Sequence, residues 1–234
     1  MMRPEETIIL VPSCYNYRDC WKPFCKLLNK YWPKRKFLTI LVTDIYKDVE
    51  WEGDSIIELK KDLGWCRNLS TAIRQESLGG VKNILLLQED FFLSGPVDTE
   101  AIDRAIRYLD ADPIVGCFRL YPCPGPDSET GEPGIGLVHK DAPYAVSCQA
   151  AIWKTDYILR ILDQFDTPWE FEILGTNYQK KYLEKVTVSY YREANPWPLQ
   201  YICTAIVKGK WQSGAVAWCK ANGVDLDLSL RPIE

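Results

Sequence analysis

Residues Ile84-Leu-Leu-Leu87 form a run without a polar side chain, bounded by Asn83 and Gln88 and followed at once by Glu89 and Asp90. A segment of this length that is apolar at every position has no solvent face. It predicts a strand in the middle of a mostly parallel sheet, covered on both sides by helices. The preceding text fits that architecture. Residues 7–12, 37–43 and 55–59 read as further short strands rich in aliphatic and β-branched residues. Between them, residues 22–32 and 64–76 carry apolar side chains at helical spacing, and 98–108 follows as an amphipathic helix. The first two strands begin about 30 residues apart, the usual size of a βαβ unit. The fold class is therefore α/β, with helices flanking a central sheet.

The second half is less regular. Residues 122–136 are dense in Pro, Gly and acidic side chains and read as a long loop, the kind of segment that often lines a binding site. A buried strand at 145–153, helices at 155–165 and 171–183 and a strand at 186–191 follow. Asn195-Pro-Trp-Pro198 breaks the pattern, and a last helix is expected at 211–222. No internal repeat or Gly/Ser linker divides the 234 residues, so one domain, 1–234, is expected.

With 47% hydrophobic residues the chain can bury a sizeable core, which excludes a disordered protein. A net charge of −4 argues against indiscriminate nucleic-acid binding, which draws its affinity from neutralised phosphates. Nine cysteines without a C-x-x-C pair, and a single histidine, His139, disfavour a zinc site. Cysteines inside apolar segments suggest a reduced, cytoplasmic protein. Arg3, Glu5 and Glu6 precede an apolar stretch too short for a secretion signal. No apolar run approaches the roughly 18 residues of a membrane span.

Walker-type, dinucleotide-binding and G-x-S-x-G motifs are missing, and His139 sits after a loop without a recognisable catalytic partner. In an open parallel sheet ligands bind at the carboxyl ends of strands. Three such ends are polar here: Pro12-Ser-Cys-Tyr15, Thr43-Asp44 and Gln88-Glu-Asp90. Two adjacent acids at the tip of an apolar strand are costly unless hydrogen bonds or a cation stabilise them. A hard divalent cation, held by one or two carboxylates and substrate phosphates, would do so; a solvated turn is the alternative. Lys22, Lys26 and Lys30 share a helix face, with Lys34, Arg35 and Lys36 beyond it, which suits either a polyanionic partner or plain solvation.

The order of these features resembles a GT-A glycosyltransferase, a Rossmann-like fold, and within it a bacterial and viral group with a variant D-x-D motif. The likeness rests on Leu85-Leu-Leu-Gln-Glu-Asp-Phe-Phe-Leu93, Gly64-Trp65 with Asn68, Ser147-x-Gln149-Ala-Ala-Ile-Trp153, Pro168-Trp-Glu-Phe-Glu172 and Gly209-Lys-Trp211. A related nucleotidyltransferase would need a Gly-rich, Arg-containing loop after the first strand, and Pro12-Ser-Cys-Tyr-Asn16 lacks it.

The resemblance implies transfer of a sugar from a nucleotide-sugar donor to an acceptor hydroxyl, inverting and assisted by Mn²⁺ or Mg²⁺. Asp90 and then Glu89 would hold the metal. Gln88 stands where many members carry the first Asp, a departure that removes charge from the metal. Pro12, Ser13, Tyr15 and Asp44 match nucleoside-contacting positions, and Arg67, Asn68 and Lys210 would complete the donor side. The alternatives are a helix-face ion pair for Arg67 and a solvated side chain for Lys210. Glu172, then Glu170, is the implied base, because an acceptor hydroxyl must lose its proton. Acids complementing a helix N-terminus are the competing explanation. Gln149, Trp153 and Trp169 would face the acceptor, a glycan or a nucleic acid, although most tryptophans fill cores. Residues 1–95 or so would form the nucleotide-binding half and the remainder the acceptor half. The competing function is a catalytically degenerate nucleotide-sugar or glycan binding protein of the same fold.

Overall fold

The computed structural model describes residues 6–75, 78–191, 197–202 and 204–234. Arg3, Glu5, the expected helix end at Glu76, Asn195 and Pro196 of the expected break, and Cys203 lie outside the described residues. The chain opens with β1 (Thr7–Pro12), a 3₁₀ turn (Tyr15–Cys20) and α1 (Trp21–Tyr31). Next come β2 (Thr39–Thr43), β3 (Ser55–Glu58), α2 (Trp65–Ile73), β4 (Asn83–Leu86), β5 (Phe92–Leu93) and α3 (Thr99–Ala111). The second half contains β6 (Val115–Arg119), β7 (Ser128–Glu129), β8 (Ile135–Val138), β9 (Ala151–Lys154), α4 (Thr155–Leu162) and α5 (Pro168–Tyr182). It ends with β10 (Val186–Tyr190), β11 (Tyr201–Ile202), β12 (Ile206–Val207), β13 (Lys210–Trp211) and α6 (Ser213–Ala221).

Among the described residues nine strands form one sheet in the order β3-β2-β1-β4-β9-β6-β10-β8-β7. β3, β2, β1 and β4 are mutually parallel. β9 runs against β4 and β6, and β10 is parallel to β6 but antiparallel to β8. The sheet is mixed but mostly parallel and continuous through both halves, so the chain is a single α/β domain. Alternation along each strand divides the core in two. Ile9, Val11, Leu85 and Leu87 face α1, α3 and α6, whereas Ile8, Leu10, Ile84 and Leu86 face α2, α4 and α5. Burial on both faces explains why β4 is apolar throughout. Gly116 in β6 lies against the Tyr157 ring, where a Cβ would come within 2.4 Å, so this close passage of α4 requires glycine.

Two sequence expectations are corrected. Of the expected strand at 145–153 only 151–153 pair in the sheet, as part of β9. Upstream, Val146, Cys148 and Ala150 give their N–H groups to Thr176, Glu172 and Tyr201 side chains instead. The expected loop at 122–136 contains β7 and the start of β8, which pair antiparallel at the sheet's edge. β1 pairs with β2 on one side and β4 on the other, so successive strands switch sides there. A crevice outside the carboxyl ends of β1 and β4 is the position such a switch creates for ligands.

Candidate active site

Ser13, immediately after β1, is anchored by its N–H to the Val42 carbonyl at 2.8 Å. Its hydroxyl accepts from Trp21 Nε1 at 2.8 Å and donates to Glu89 Oε1 at 3.1 Å. The tip of β1 is thereby joined to the turn after β4. Glu89 and Asp90 are 8% and 9% exposed. Asp90 Oδ2 accepts from the Ile206 N–H at 3.3 Å, its carboxyl also accepts from the Thr204 side chain, and its backbone carbonyl accepts from the Ala205 N–H at 3.2 Å. Thr204 has φ +62°, a left-handed conformation a β-branched residue seldom adopts, and Asp90 holds the loop in it. Burial raises both carboxyls above the ordinary range, and the Asp90 charge pushes Glu89 further.

Next to the acids lies an ion pair that sequence reasoning missed. Arg231 Nε and Nη2 each approach an Asp19 oxygen at 2.7 Å, with side-chain exposures of 7% and 0%. The Arg231 charge opposes the upward shift at both Glu89 and Asp90. Asp19 is paired by Arg231, whereas Glu89 and Asp90 are buried with hydrogen-bond donors but, among the described residues, no bonded cation. A hard divalent cation would favour the ionised form of both carboxyls, which burial disfavours. No cluster of three or more His, Cys, Asp or Glu able to hold a metal exists among the described residues, so a cation would rest on Glu89, Asp90 and ligand oxygens. Gln88 is uncharged, and its Nε2 is enclosed without a hydrogen-bond partner.

At the β2 tip, Asp44 Oδ1 accepts from the Tyr15 N–H at 2.7 Å and the Thr43 hydroxyl at 3.2 Å. The Tyr15 ring lies 4.1 Å from the Arg18 guanidinium and 4.9 Å from the Lys47 ammonium, and its hydroxyl bonds Asp48. Pro12, Ser13, Tyr15, Asp44, Gln88, Glu89 and Asp90 therefore converge on one edge. Arg67 forms an exposed ion pair with Asp166 at 2.7 Å. Asn68 is 5% exposed and holds the turn before α2, donating to Asp62 and accepting from the Leu63 N–H, both at 2.9 Å. Lys210 is exposed, one residue beyond the Lys208–Gly209 turn that joins β12 to β13. Both turn residues have positive φ, as a two-residue hairpin demands.

Glu172, in α5, points one oxygen at the Cys148 N–H (2.8 Å) and the Ser147 hydroxyl (3.2 Å). Oε2 has no hydrogen-bond partner among the described residues. Glu170 instead completes a capping box: Thr167 Oγ1 accepts from the Glu170 N–H, and Glu170 Oε2 accepts from the Asp166 and Thr167 N–H groups. Those backbone donors hold its carboxyl below the ordinary range. Gln149 Oε1 accepts from the Tyr201 hydroxyl at 2.6 Å, and Tyr201 stacks on Phe91 at 4.6 Å. A continuous line of contacts therefore runs from Glu172 through Cys148, Gln149, Tyr201 and Phe91 to Asp90. Trp169 is 70% exposed. Trp153 is a correction: at 1% exposure it packs between Tyr157 and Phe171 and has no surface for an acceptor.

His139 does find a neighbour, Ser128 Oγ at 2.9 Å, but on an exposed hairpin away from the crevice. Of the basic helix face, Lys26 donates to the Gly223 carbonyl; beyond it, Arg35 bonds Thr39 and Asn29, and Lys36 pairs with Asp103. Two cavities, of about 320 and 630 Å³, lie at the opposite edge, by the amino ends of β1 and β4. No helix is long and apolar enough to cross a membrane among the described residues.

No protein-family profile matches the chain, and no curated protein matches it. Among solved structures it is similar to residues 1–349 of S. aureus TarS, with TM-score 0.50 and 15% identity over 83% of this chain and 59% of that one. The same TarS segment in complex with UDP-GlcNAc gives TM-score 0.48 and 14% identity over 83% and 57%. A cytidylyltransferase from Leptospira borgpetersenii gives 0.49 and 11% over 93% and 95%. The chain spans less than two thirds of the TarS segment, and at these identities the similarity is one of fold.

Proposed function

We propose that the chain is a glycosyltransferase that moves a sugar from a nucleotide-sugar donor to an acceptor hydroxyl with inversion. The observation that carries this reading is the buried Glu89–Asp90 pair at the sheet's switch point, two adjacent carboxyls with no bonded cation among the described residues. Mn²⁺ or Mg²⁺ bound there would neutralise charge on the donor's diphosphate. Pro12, Ser13, Tyr15, Asp44 and Gln88 line the nucleoside side, and Lys210 offers a cation from the β12–β13 hairpin. Asn68, and Arg67 through its ion pair, act on this side by holding the turns around α2. Residues 1–95 supply most donor contacts and 96–234 the acceptor side.

Glu172 is the base: its Oε1 is fixed by Cys148 and Ser147, which leaves Oε2 to receive a proton. As the acceptor oxygen bonds to the anomeric carbon, its proton passes to Glu172. The bond from that carbon to the diphosphate oxygen breaks, and the electron pair leaves with the nucleoside diphosphate. Glu170, tied into its cap, is the weaker candidate. Trp169 and Gln149 face an acceptor read as a glycan, because an exposed indole suits a sugar face. Eight free thiols among the described cysteines support a reducing, cytoplasmic setting.

The test is release of nucleoside diphosphate from a panel of sugar nucleotides, with Mn²⁺ and with chelator. Turnover should vanish in Asp90→Asn, which keeps acceptors for the Thr204–Ile206 loop, and persist in Ser94→Ala. The neutral Gln88 favours a second reading, a binding protein of the same fold. Saturable donor binding without release under any condition would establish it.

A further inference from the structure

We infer that Arg119 is a positioning residue for Glu172: it holds the strap of residues 144–148, whose Ser147 and Cys148 orient that carboxyl. The inference rests on the reading of Glu172 as the base. Arg119 ends β6, opposite Ala151 of β9 and Ser189 of β10, so strands on both sides fix its backbone. Its guanidinium is buried with no carboxylate in ion-pair range among the described residues. Instead Nη1 donates to the Pro124 carbonyl at 2.5 Å, and Nη2 to the Tyr144 and Ala145 carbonyls at 2.7 and 3.3 Å. From there the strap runs to α5. The Val146 N–H donates to Thr176 Oγ1 at 3.1 Å, and the Ser147 hydroxyl and Cys148 N–H donate to Glu172 Oε1.

A buried charge is costly unless it is paired, and carbonyl dipoles offset that cost less well than a carboxylate does. Core filling alone does not explain an arginine here, since an apolar side chain would occupy the same volume. What the guanidinium adds is a planar fork that binds two separate segments at once. One of those segments leads directly into the partners of Glu172. Cys148 stands three residues beyond Ala145, and residues 145–147 are buried, so a displaced Ala145 carbonyl carries the strap with it. Tyr144 has φ +57°, a left-handed conformation that a bulky residue seldom adopts, and Arg119 bonds its carbonyl. The strap is thus clamped between Arg119 on β6 and Glu172 with Thr176 on α5. Burial keeps Arg119 itself away from substrate, so it acts through Glu172.

Arg119→Lys in the full chain, which keeps the charge but replaces the fork by a single ammonium, tests this. Amide hydrogen exchange at 144–148 should quicken by about tenfold, the scale of a lost hydrogen bond to a charged group. Glu172→Ala should quicken the same amides, because it releases the strap from its other side. In nucleoside diphosphate release, Arg119→Lys should lower kcat by about 10–100-fold and leave the donor KM unchanged, as a misaimed base would. Combined with Glu172→Gln it should lower kcat little further, since both changes act through one carboxyl. Arg119→Met, which buries no charge, should give the same pattern where the lysine variant fails to fold. Unchanged exchange at 144–148, a raised donor KM with kcat intact, or kcat losses that multiply in the double variant would overturn the inference. Failure of both Arg119 variants to fold would overturn it too, as the mark of a purely structural role. A wild type that transfers no sugar while the strap loosens as expected would count against the glycosyltransferase reading alone.

Discussion

Glu170 and Glu172 lie two positions apart and are engaged differently. Both acids were legible in Pro168-Trp-Glu-Phe-Glu172, but their roles were not. A capping box depends on where the helix begins, and Glu172's orientation depends on Cys148, 24 residues away. Glu172→Gln should lower kcat by about 10²–10⁴, the usual contribution of a positioned base, without moving the melting temperature. Glu170→Gln should leave kcat intact, and steady-state kinetics on the two variants separates them. The acid pair gives a pH prediction. Its carboxyls are raised in the folded state, so below the unfolded carboxylate range they are neutral in both states and carry no penalty. As pH rises the unfolded chain ionises first, and the folded state loses stability until the pair has titrated, between about 6 and about 8. Melting temperature without metal should fall from the unfolded carboxylate range, about 4, up to about 8, most steeply below about 6. Mn²⁺ should flatten the fall, and its affinity should weaken as pH drops through the same range. A flat profile without metal would refute the prediction.

Elements whose pattern is set by burial on one or two faces were the readable ones. β1 matches its expected span, and α1, α2 and α4 start within one residue of theirs, because amphipathic spacing survives whatever packs against it. β6 was not read: Val115-Gly-Cys-Phe-Arg119 has a glycine demanded by Tyr157 and a buried arginine that looks exposed in sequence. Arg119 is 1% exposed and donates to the Pro124, Tyr144 and Ala145 carbonyls, contacts with no local signature. α5 was expected to start at 171 but begins at Pro168, after Thr167 as N-cap, with proline in the first turn where its missing N–H costs nothing. Thr167→Ala removes one side of the box and should cost about 1 kcal/mol in urea denaturation. Since α5 carries Glu172, kcat should fall with it, though far less than in Glu172→Gln.

At the scale of the molecule, the acid pair was legible because strand and acids are contiguous, whereas Asp19 and Arg231 stand 212 positions apart and no periodicity links them. The proposed halves are likewise not separable units. β4 is flanked by β1 on one edge and by β9 on the other, with Ile84, Leu85 and Leu86 opposite Trp153, Ile152 and Ala151. A fragment of residues 1–95 would expose that apolar edge and leave α2 without α4 and α5, which close the core on its face. It would also strip Asp90 of Thr204 and Ile206, and Asp19 of Arg231, leaving buried carboxylates without donors or counter-charge. Such a fragment should show no cooperative urea transition, no near-ultraviolet circular dichroism from Trp21 and Trp32, and no binding of nucleoside diphosphate. A sharp transition with retained binding would mean that the donor half is a domain in its own right and that the residues contributed by 96–234 are dispensable to it. The shared sheet edge and the donors from the second half make the first outcome the expected one.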